Sequence, residues 1–325
     1  MMTKNAPPPK VLIIHNQAEI YRDMLAAGAP GLRFAECTRY DDVPDALARE
    51  QPEVVLSFKF EPKPYPRAAI LACPSVRWIQ TAGAGIDHMA PWDPAKITLT
   101  NAGGIHGDLM SQYVLGVLMM RGHRFAEYAA LQRERSWKRT NPTSLYGSTM
   151  TIVGMGKIGR EIARRAAVFG IRIVGVNTTG TPVEGAERVY PIAQLRQAVA
   201  EADTVVLVVP LTPQTRGLID APTIAAMKKG AFLINVARGG VADEAAVVAA
   251  LRSGQLSGAA FDGFTAEPLP ADSPLWDAPN LLITPHSSSD GDLWQRDVAK
   301  IFIDNLARFR AGEPLRNVVD PARGY

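Results

Sequence analysis

An α/β fold built on doubly wound parallel sheets is predicted by three features of the chain. Short apolar runs of strand length alternate with helix-length segments through its 325 residues, and such alternation gives parallel sheets with helices on both faces. A glycine-rich turn, Gly154-Met155-Gly156-Lys157-Ile158-Gly159, follows one of those runs and opens a helix. Downstream of it, Arg238, Glu267 and His286 follow one another at the ends of apolar strands.

Taken in order, residues 11–15, 53–58 and 77–81 read as strands with helix-like segments between them. From 107 to 120 the spacing of Leu109, Met110, Tyr113, Val114, Val117 and Leu118 predicts a long helix with a broad apolar face. That helix is expected to pack between domains and to mark the first boundary. Residues 121–139 carry Arg121, Arg124, Arg133, Arg135, Lys138 and Arg139, relieved only by Glu127 and Glu134. A solvated helix face or a subunit contact accounts for them better than a nucleic-acid patch. A strand at 150–153, the glycine turn, a helix at 157–169 stopped by Gly170, and a strand at 171–176 complete a β-α-β unit. Further strands are predicted at 204–209, 231–235, 258–261 and 281–284. A final helix near 293–310, with Val298, Ile301, Phe302, Asn305 and Leu306 on one side, is expected to return to the first domain.

Composition bounds the class. With 47% hydrophobic and 21% charged residues the chain suits a soluble globular protein of about two domains. A net charge of +3 is too small at this length to argue for nucleic acid and is compatible with a small anionic substrate. Cys37 and Cys73 form neither a metal spacing nor a disulfide framework, so a reducing compartment, the cytoplasm, is expected. No apolar run has the length of a signal-peptide core near the start or of a membrane span later, so neither targeting nor a membrane partner is expected.

In the glycine turn, Gly154 permits the bend, Gly156 lets a pyrophosphate approach and Gly159 lets the helix pack on the sheet. The amides of Lys157 and Ile158 at the helix N-terminus are candidate phosphate donors, and dinucleotide binding is the expected role. At the end of the second strand, where an acid would bind the adenosine ribose of NAD, stands Asn177, followed by Thr178 and Thr179. No carboxylate there repels a 2′-phosphate, which favours NADP over NAD, although no arginine accompanies it. Asp262, at another strand end, either contacts the nicotinamide amide or ribose or caps the following turn.

The three downstream residues supply what reduction of a 2-oxo acid requires: a cation to hold and polarise the substrate, a proton donor, and a partner that keeps the donor protonated. Arg238 offers a bidentate guanidinium. His286 lies at a carboxyl strand end, where open parallel sheets place ligands. Glu267 favours its imidazolium.

With these residues in place the chain resembles the D-isomer-specific 2-hydroxyacid dehydrogenase family from about residue 78 to 317. The stretches that carry the resemblance are Thr81-Ala82-Gly83-Ala84-Gly85-Ile86-Asp87, the glycine turn, Val209-Pro210-Leu211-Thr212, Asn235-Val236-Ala237-Arg238-Gly239, Glu267-Pro268-Leu269-Pro270 and Thr284-Pro285-His286. The resemblance implies Arg238, Glu267 and His286 as the catalytic set. It implies substrate-carboxylate binding by Arg238 and by backbone amides around Ala84 and Gly85, which as bare amides in a small-residue loop suit an anion. Cofactor contacts are expected from Gly154 to Gly159, Asn177, Thr178, Thr179, Val209, Pro210, Thr215, Val236, Ala237 and Asp262. It further implies two Rossmann-like or flavodoxin-like domains with the active site in the cleft between them. The substrate-binding domain is then discontinuous, 1–101 plus 290–325, the dinucleotide-binding domain is 102–289, and the assembly is a homodimer joined through the helix and basic arm.

Glyoxylate or hydroxypyruvate is the substrate type implied. Formate oxidation is disfavoured because relatives with that activity carry Gln where Glu267 stands, and phosphite oxidation because the loop around Ala84 and Gly85 lacks a lysine. The rival reading, also by resemblance, is a corepressor-like dinucleotide sensor with little turnover. The chain departs from the family pattern at Gly263, at Gln112 and in the polar stretch Ser287-Ser288-Ser289-Asp290-Gly291-Asp292, which together with Phe58 and Trp294 bears on the substrate pocket.

Overall fold

The computed structural model describes residues 8–61, 63–83, 85–86, 88–291 and 293–321. They fall into two compact units, Met1–Ile105 with Gly291–Tyr325, and His106–Asp290. Each is built on one sheet with parallel strands throughout.

In the first unit the chain runs β1 (Val11–Ile14), α1 (Ala18–Gly28), β2 (Phe34–Cys37), α2 (Val43–Glu50), β3 (Val54–Ser57), α3 (Arg67–Ala72), β4 (Trp78–Thr81) and β5 (Thr98–Thr100). The strand order is β2-β1-β3-β4-β5. Every residue of β1, β3 and β4 is buried, as expected of strands covered on both faces, and this is why β1 and β3 read as nearly continuous apolar runs. The edges β2 and β5 were not anticipated.

The second unit begins with α4 (Gly107–Gly122) and α5 (Phe125–Arg133). It continues through β6 (Thr149–Val153), α6 (Lys157–Ala167), β7 (Arg172–Asn177), β8 (Arg188–Pro191), α7 (Leu195–Ala200), β9 (Thr204–Leu207), α8 (Ala221–Ala226), β10 (Ala231–Asn235), α9 (Glu244–Ser253), β11 (Leu256–Phe261) and β12 (Leu281–Ile283). The order β12-β11-β10-β9-β6-β7-β8 reverses direction at the β6/β9 junction, which opens a crevice at the carboxyl ends of those strands. Helix α4 buries Met110, Val114, Leu115, Val117 and Leu118 in a core shared with Ile152, Ile162, Ala163 and Ala166. Several expected bounds shift by one or two residues. Helix α6 stops at Ala167, two residues early, because Gly170 takes a left-handed φ of +71° only after an intervening turn. Strand β9 stops at Leu207 rather than at residue 209.

The last helix, α10 (Trp294–Ala311), lies in the first unit and packs against α1. Its Val298, Ala299, Phe302, Asn305 and Leu306 recur at helical spacing and are buried. Phe302 stacks on the fully buried Trp78, ring centroids 5.0 Å apart and planes 15° from parallel. A polar chain threads this apolar layer. Trp78 Nε1 donates to Thr100 Oγ1 at 2.8 Å, Thr100 Oγ1 to Gln80 Oε1 at 2.7 Å, and Asn305 Nδ2 to Gln80 Oε1 at 3.2 Å. Asn305 also donates to the Arg316 carbonyl and accepts from its amide, at 3.1 and 2.7 Å. Replacing Asn305 by Ala removes both Arg316 bonds at once, and a buried group left without its partner costs about 1–3 kcal/mol. Urea unfolding should therefore show Asn305→Ala less stable by about that amount; unchanged stability would remove Asn305 from the forces that hold α10.

Candidate active site

Three adjacent strands, β10, β11 and β12, deliver the three residues. After β10 the fully buried Asn235 folds its side chain back on its own loop. Its Oδ1 accepts from the Ala237 amide at 3.0 Å and its Nδ2 donates to the Arg238 carbonyl at 3.1 Å. This side chain therefore fixes the backbone that presents Arg238. Gly239 comes next because there is no room for anything larger: a Cβ there would overlap the Phe264–Thr265 backbone. Gly263, where the family pattern has a larger residue, also lies close, its Cβ position 3.2 Å from the Ala237 carbonyl oxygen and 3.3 Å from Arg238 Cα. The segment after β11 is thus drawn against the segment after β10.

Glu267 ends that second segment. Its Oε1 accepts from the Phe264 amide at 2.9 Å, and its two oxygens lie 3.0 and 2.9 Å from His286 Nδ1. On the other edge of the ring, His286 Nε2 is 3.3 Å from Arg238 Nη1, which also donates to the Ala237 carbonyl at 3.0 Å. A guanidinium only donates, so Nε2 accepts, and the partners assign the ring proton to Nδ1, facing Glu267. Burial pushes the Glu267 carboxyl up. The His286 hydrogen bond, the Phe264 amide and the charges of His286 and Arg238 outweigh that effect and hold it below the usual carboxylate range. His286 has a left-handed backbone, φ +53°, which a non-glycine residue adopts only where its surroundings impose it.

Asp262 is bonded to the chain on both sides of His286. It is 2% exposed. Its Oδ1 accepts from Thr284 Oγ1 at 2.6 Å and from the Ser287 amide at 2.9 Å, and its Oδ2 from the Ser288 amide at 3.0 Å. The backbone at the start of the polar stretch after His286 thus wraps a buried carboxylate. Asp292 lies outside the described residues.

At the glycine turn, Gly154 has φ +111°, and a Cβ on Gly159 would overlap the Gly154 carbonyl, so bend and close approach both demand glycine. Gly156, the N-cap of α6, has no atom within 4 Å of its Cβ position. The space in front of that helix N-terminus fits a diphosphate, with Gly156 to Gly159 as the cradle and the helix dipole favouring negative charge. Met155 is buried, and its carbonyl accepts from Arg160 Nε at 3.2 Å.

Asn177 is engaged within its own loop. Its Oδ1 accepts from the amides of Thr179 and Gly180 at 3.1 and 2.6 Å, and its Nδ2 donates to the Thr181 carbonyl at 2.8 Å. The side chain shapes the loop after β7 and leaves Thr178 and Thr179 exposed on it. Thr215 closes a turn by donating to the Pro210 carbonyl at 2.6 Å beside the half-buried Val209, while Val236 and Ala237 are buried. Ala84 lies outside the described residues, and Gly85 belongs to the first unit. Trp294 packs edge-on to Phe58 in that unit's core, centroids 5.7 Å apart.

A family model, D-isomer specific 2-hydroxyacid dehydrogenase, NAD binding domain, matches residues 115–288, over half of the chain. The chain belongs to the D-isomer specific 2-hydroxyacid dehydrogenase family. It is accordingly an NAD(P)-dependent oxidoreductase. Among curated relatives in this family it is 33% identical over 257 residues to a glyoxylate reductase of Korarchaeum cryptofilum, covering 77% of each chain. A D-3-phosphoglycerate dehydrogenase of Methanocaldococcus jannaschii is 32% identical over 78% of this chain, which spans only 49% of that longer protein. A family member from Aeromonas salmonicida superposes with a TM-score of 0.87 at 34% identity, over 97% of this chain and all of that one. Another, from Xanthobacter autotrophicus and solved with NADPH, gives 0.83 at 31% over 98% of this chain and all of that one.

The depressed Glu267 value has a pH signature. A carboxyl whose folded pKa lies below its ordinary 4.5 adds stability that is present in full above 4.5 and lost as pH falls through the folded value. The Tm gap between wild type and Glu267→Gln should hold steady from neutral pH down to about 4.5 and close as pH falls from there through the folded value. A gap that is widest in acid would contradict the assignment.

Proposed function

We propose that the protein reduces a small 2-oxo acid of the glyoxylate or hydroxypyruvate type to the D-2-hydroxy acid, and catalyses the reverse oxidation. One observation carries the reading: His286 is bonded through Nδ1 to a carboxylate and through Nε2 to a guanidinium. A nicotinamide dinucleotide, when bound, supplies or removes the hydride at C2. Arg238 holds the substrate carboxylate and polarises the carbonyl. His286 delivers a proton from Nε2 to the carbonyl oxygen, so that one hydride and one proton add across the C=O bond. Glu267, on Nδ1, orients the ring. In the oxidation, Nε2 removes the hydroxyl proton. The glyoxylate reductase relative supports the substrate type.

NADP is the proposed cofactor, because no carboxylate stands at the end of β7 and the exposed Thr178 and Thr179 flank the position of a 2′-phosphate. The Xanthobacter neighbour was solved with NADPH. A panel of 2-oxo acids assayed with NADH and NADPH should give saturable turnover and a higher kcat/KM with NADPH. Tight dinucleotide binding with no turnover would instead favour the sensor reading. In the same assay His286→Ala should lose about 10²-fold or more in kcat with dinucleotide affinity nearly intact, and near wild-type turnover would exclude His286 as the proton carrier.

A homodimer is also proposed. Helix α5 buries none of its residues, and Phe125, Trp137 and Tyr146 are exposed in and after it. Aromatic surface of this extent on one arm marks a protein contact. Arg121, by contrast, is tied to its own unit, 4.8 Å above the Phe232 ring and bonded to Ser257 Oγ. Sedimentation should show a dimer for the wild type and a shift toward monomer for Phe125→Asp/Trp137→Asp; a monomeric wild type would overturn this.

A further inference from the structure

His286 is held by its backbone as well as by its ring partners, and the backbone hold has a source that the proposed chemistry does not use. Thr284, two residues before His286, gives its hydroxyl to Asp262 at 2.6 Å. Ser287 and Ser288, immediately after it, give their amides to the same carboxylate at 2.9 and 3.0 Å. Donors on both sides of His286 therefore converge on one buried side chain, and the turn between them is closed by the His286 amide on the Thr284 carbonyl at 3.0 Å. With both flanks pinned, the left-handed φ of +53° is the conformation left to the residue between them.

The chain of bonds extends one residue further. Tyr113 OH, from α4, is 2.9 Å from Thr284 Oγ1. A threonine hydroxyl has one hydrogen, and Thr284 has committed it to Asp262, so Tyr113 is the donor in this contact. Burial pushes the Tyr113 phenol up, with the Thr284 bond opposing and the Asp262 charge adding, which keeps it a donor at ordinary pH.

We propose that Tyr113, Thr284 and Asp262 form a positioning chain that sets the backbone of His286 and thereby the place of its Nε2 for proton transfer. The residues are positioning groups that act through His286, and the inference rests on the reading of His286 as the proton carrier. The contribution of a misplaced donor falls on the chemical step: a shift of about 1 Å in a reacting group can cost on the order of 10²-fold, while the glycine turn, carried by different strands, keeps its geometry.

The test uses the full chain with the best 2-oxo acid of the panel above, reading kcat, substrate KM, dinucleotide Kd and Tm for Thr284→Val, Thr284→Ser, Tyr113→Phe and His286→Ala. Thr284→Val should lower kcat by about tenfold or more with Kd for the dinucleotide within about twofold, Thr284→Ser should recover to within about threefold of wild type, and Tyr113→Phe should show a smaller fall of the same kind. Wild-type kcat in both Thr284→Val and Tyr113→Phe, with His286→Ala inactive, would overturn the positioning chain and leave the proton-carrier reading standing. Near wild-type turnover in His286→Ala would sink that reading itself. Should Thr284→Val fail to fold, Tyr113→Phe, which loses a single oxygen, decides the matter: a lowered kcat supports the chain and an unchanged one overturns it.

Discussion

The contact between His286 and Glu267 sets the geometric problem that the second unit is built to solve. The partners stand after β12 and β11, and Arg238 stands after β10. Neighbouring strands run about 4.8 Å apart, so the three strand ends spread over roughly twice that distance, whereas the side chains must meet near 3 Å. Loops close the difference, and each is fixed from within its own unit. Asn235 bends the first through two bonds to its own backbone. Gly239 and Gly263 let the second lie against the first. Asp262 gathers the third from both sides of His286. Buried polar side chains spent on backbone groups are costly unless satisfied, and each of these is satisfied at the point where the chain must turn.

Which parts of this were legible in the sequence follows from the same physics. Strands buried on both faces leave largely apolar runs, so β1, β3, β9 and β10 stand out by composition alone. Three of the four edge strands do not. Phe34-Ala35-Glu36-Cys37, Thr98-Leu99-Thr100 and Arg188-Val189-Tyr190-Pro191 each pair with one neighbour and carry polar residues or a proline, which gives no periodic signal. Bringing Arg238, Glu267 and His286 together was legible because strand-end residues of adjacent parallel strands share one edge of the sheet.

What side chains do within a loop was less legible. A carboxylate or amide at a strand end has the same composition signal whether it faces a ligand or its own turn. Asp262 and Asn177 were read as ligand contacts or left between the two roles, and both are committed to local amides. The deciding quantity is the number of unmatched backbone N–H groups that the turn exposes, and that number depends on φ and ψ, which spacing does not encode. Glycine is the exception, since its presence at 154, 159 and 239 reports directly on backbone conformation or clearance.

The orientation of the imidazole carries a consequence for the proposed reaction that valence alone decides. His286 Nε2 accepts from Arg238, and one nitrogen cannot accept a hydrogen bond while it carries a proton in the ring plane. As it stands, the ring has the form of the base needed for oxidation. Reduction needs the proton on Nε2, so the guanidinium must first be drawn away. In the proposed reaction a substrate carboxylate would do this, because it can accept two parallel guanidinium N–H groups in a bidentate pair that a neutral imidazole cannot match. Glu267 holds the ring from the far side through Nδ1. On the proposed function, binding of the anionic substrate and loading of the acid would in this way be one event, and a neutral carbonyl compound, which offers Arg238 no carboxylate, would leave the proton carrier in the wrong form for its own reduction.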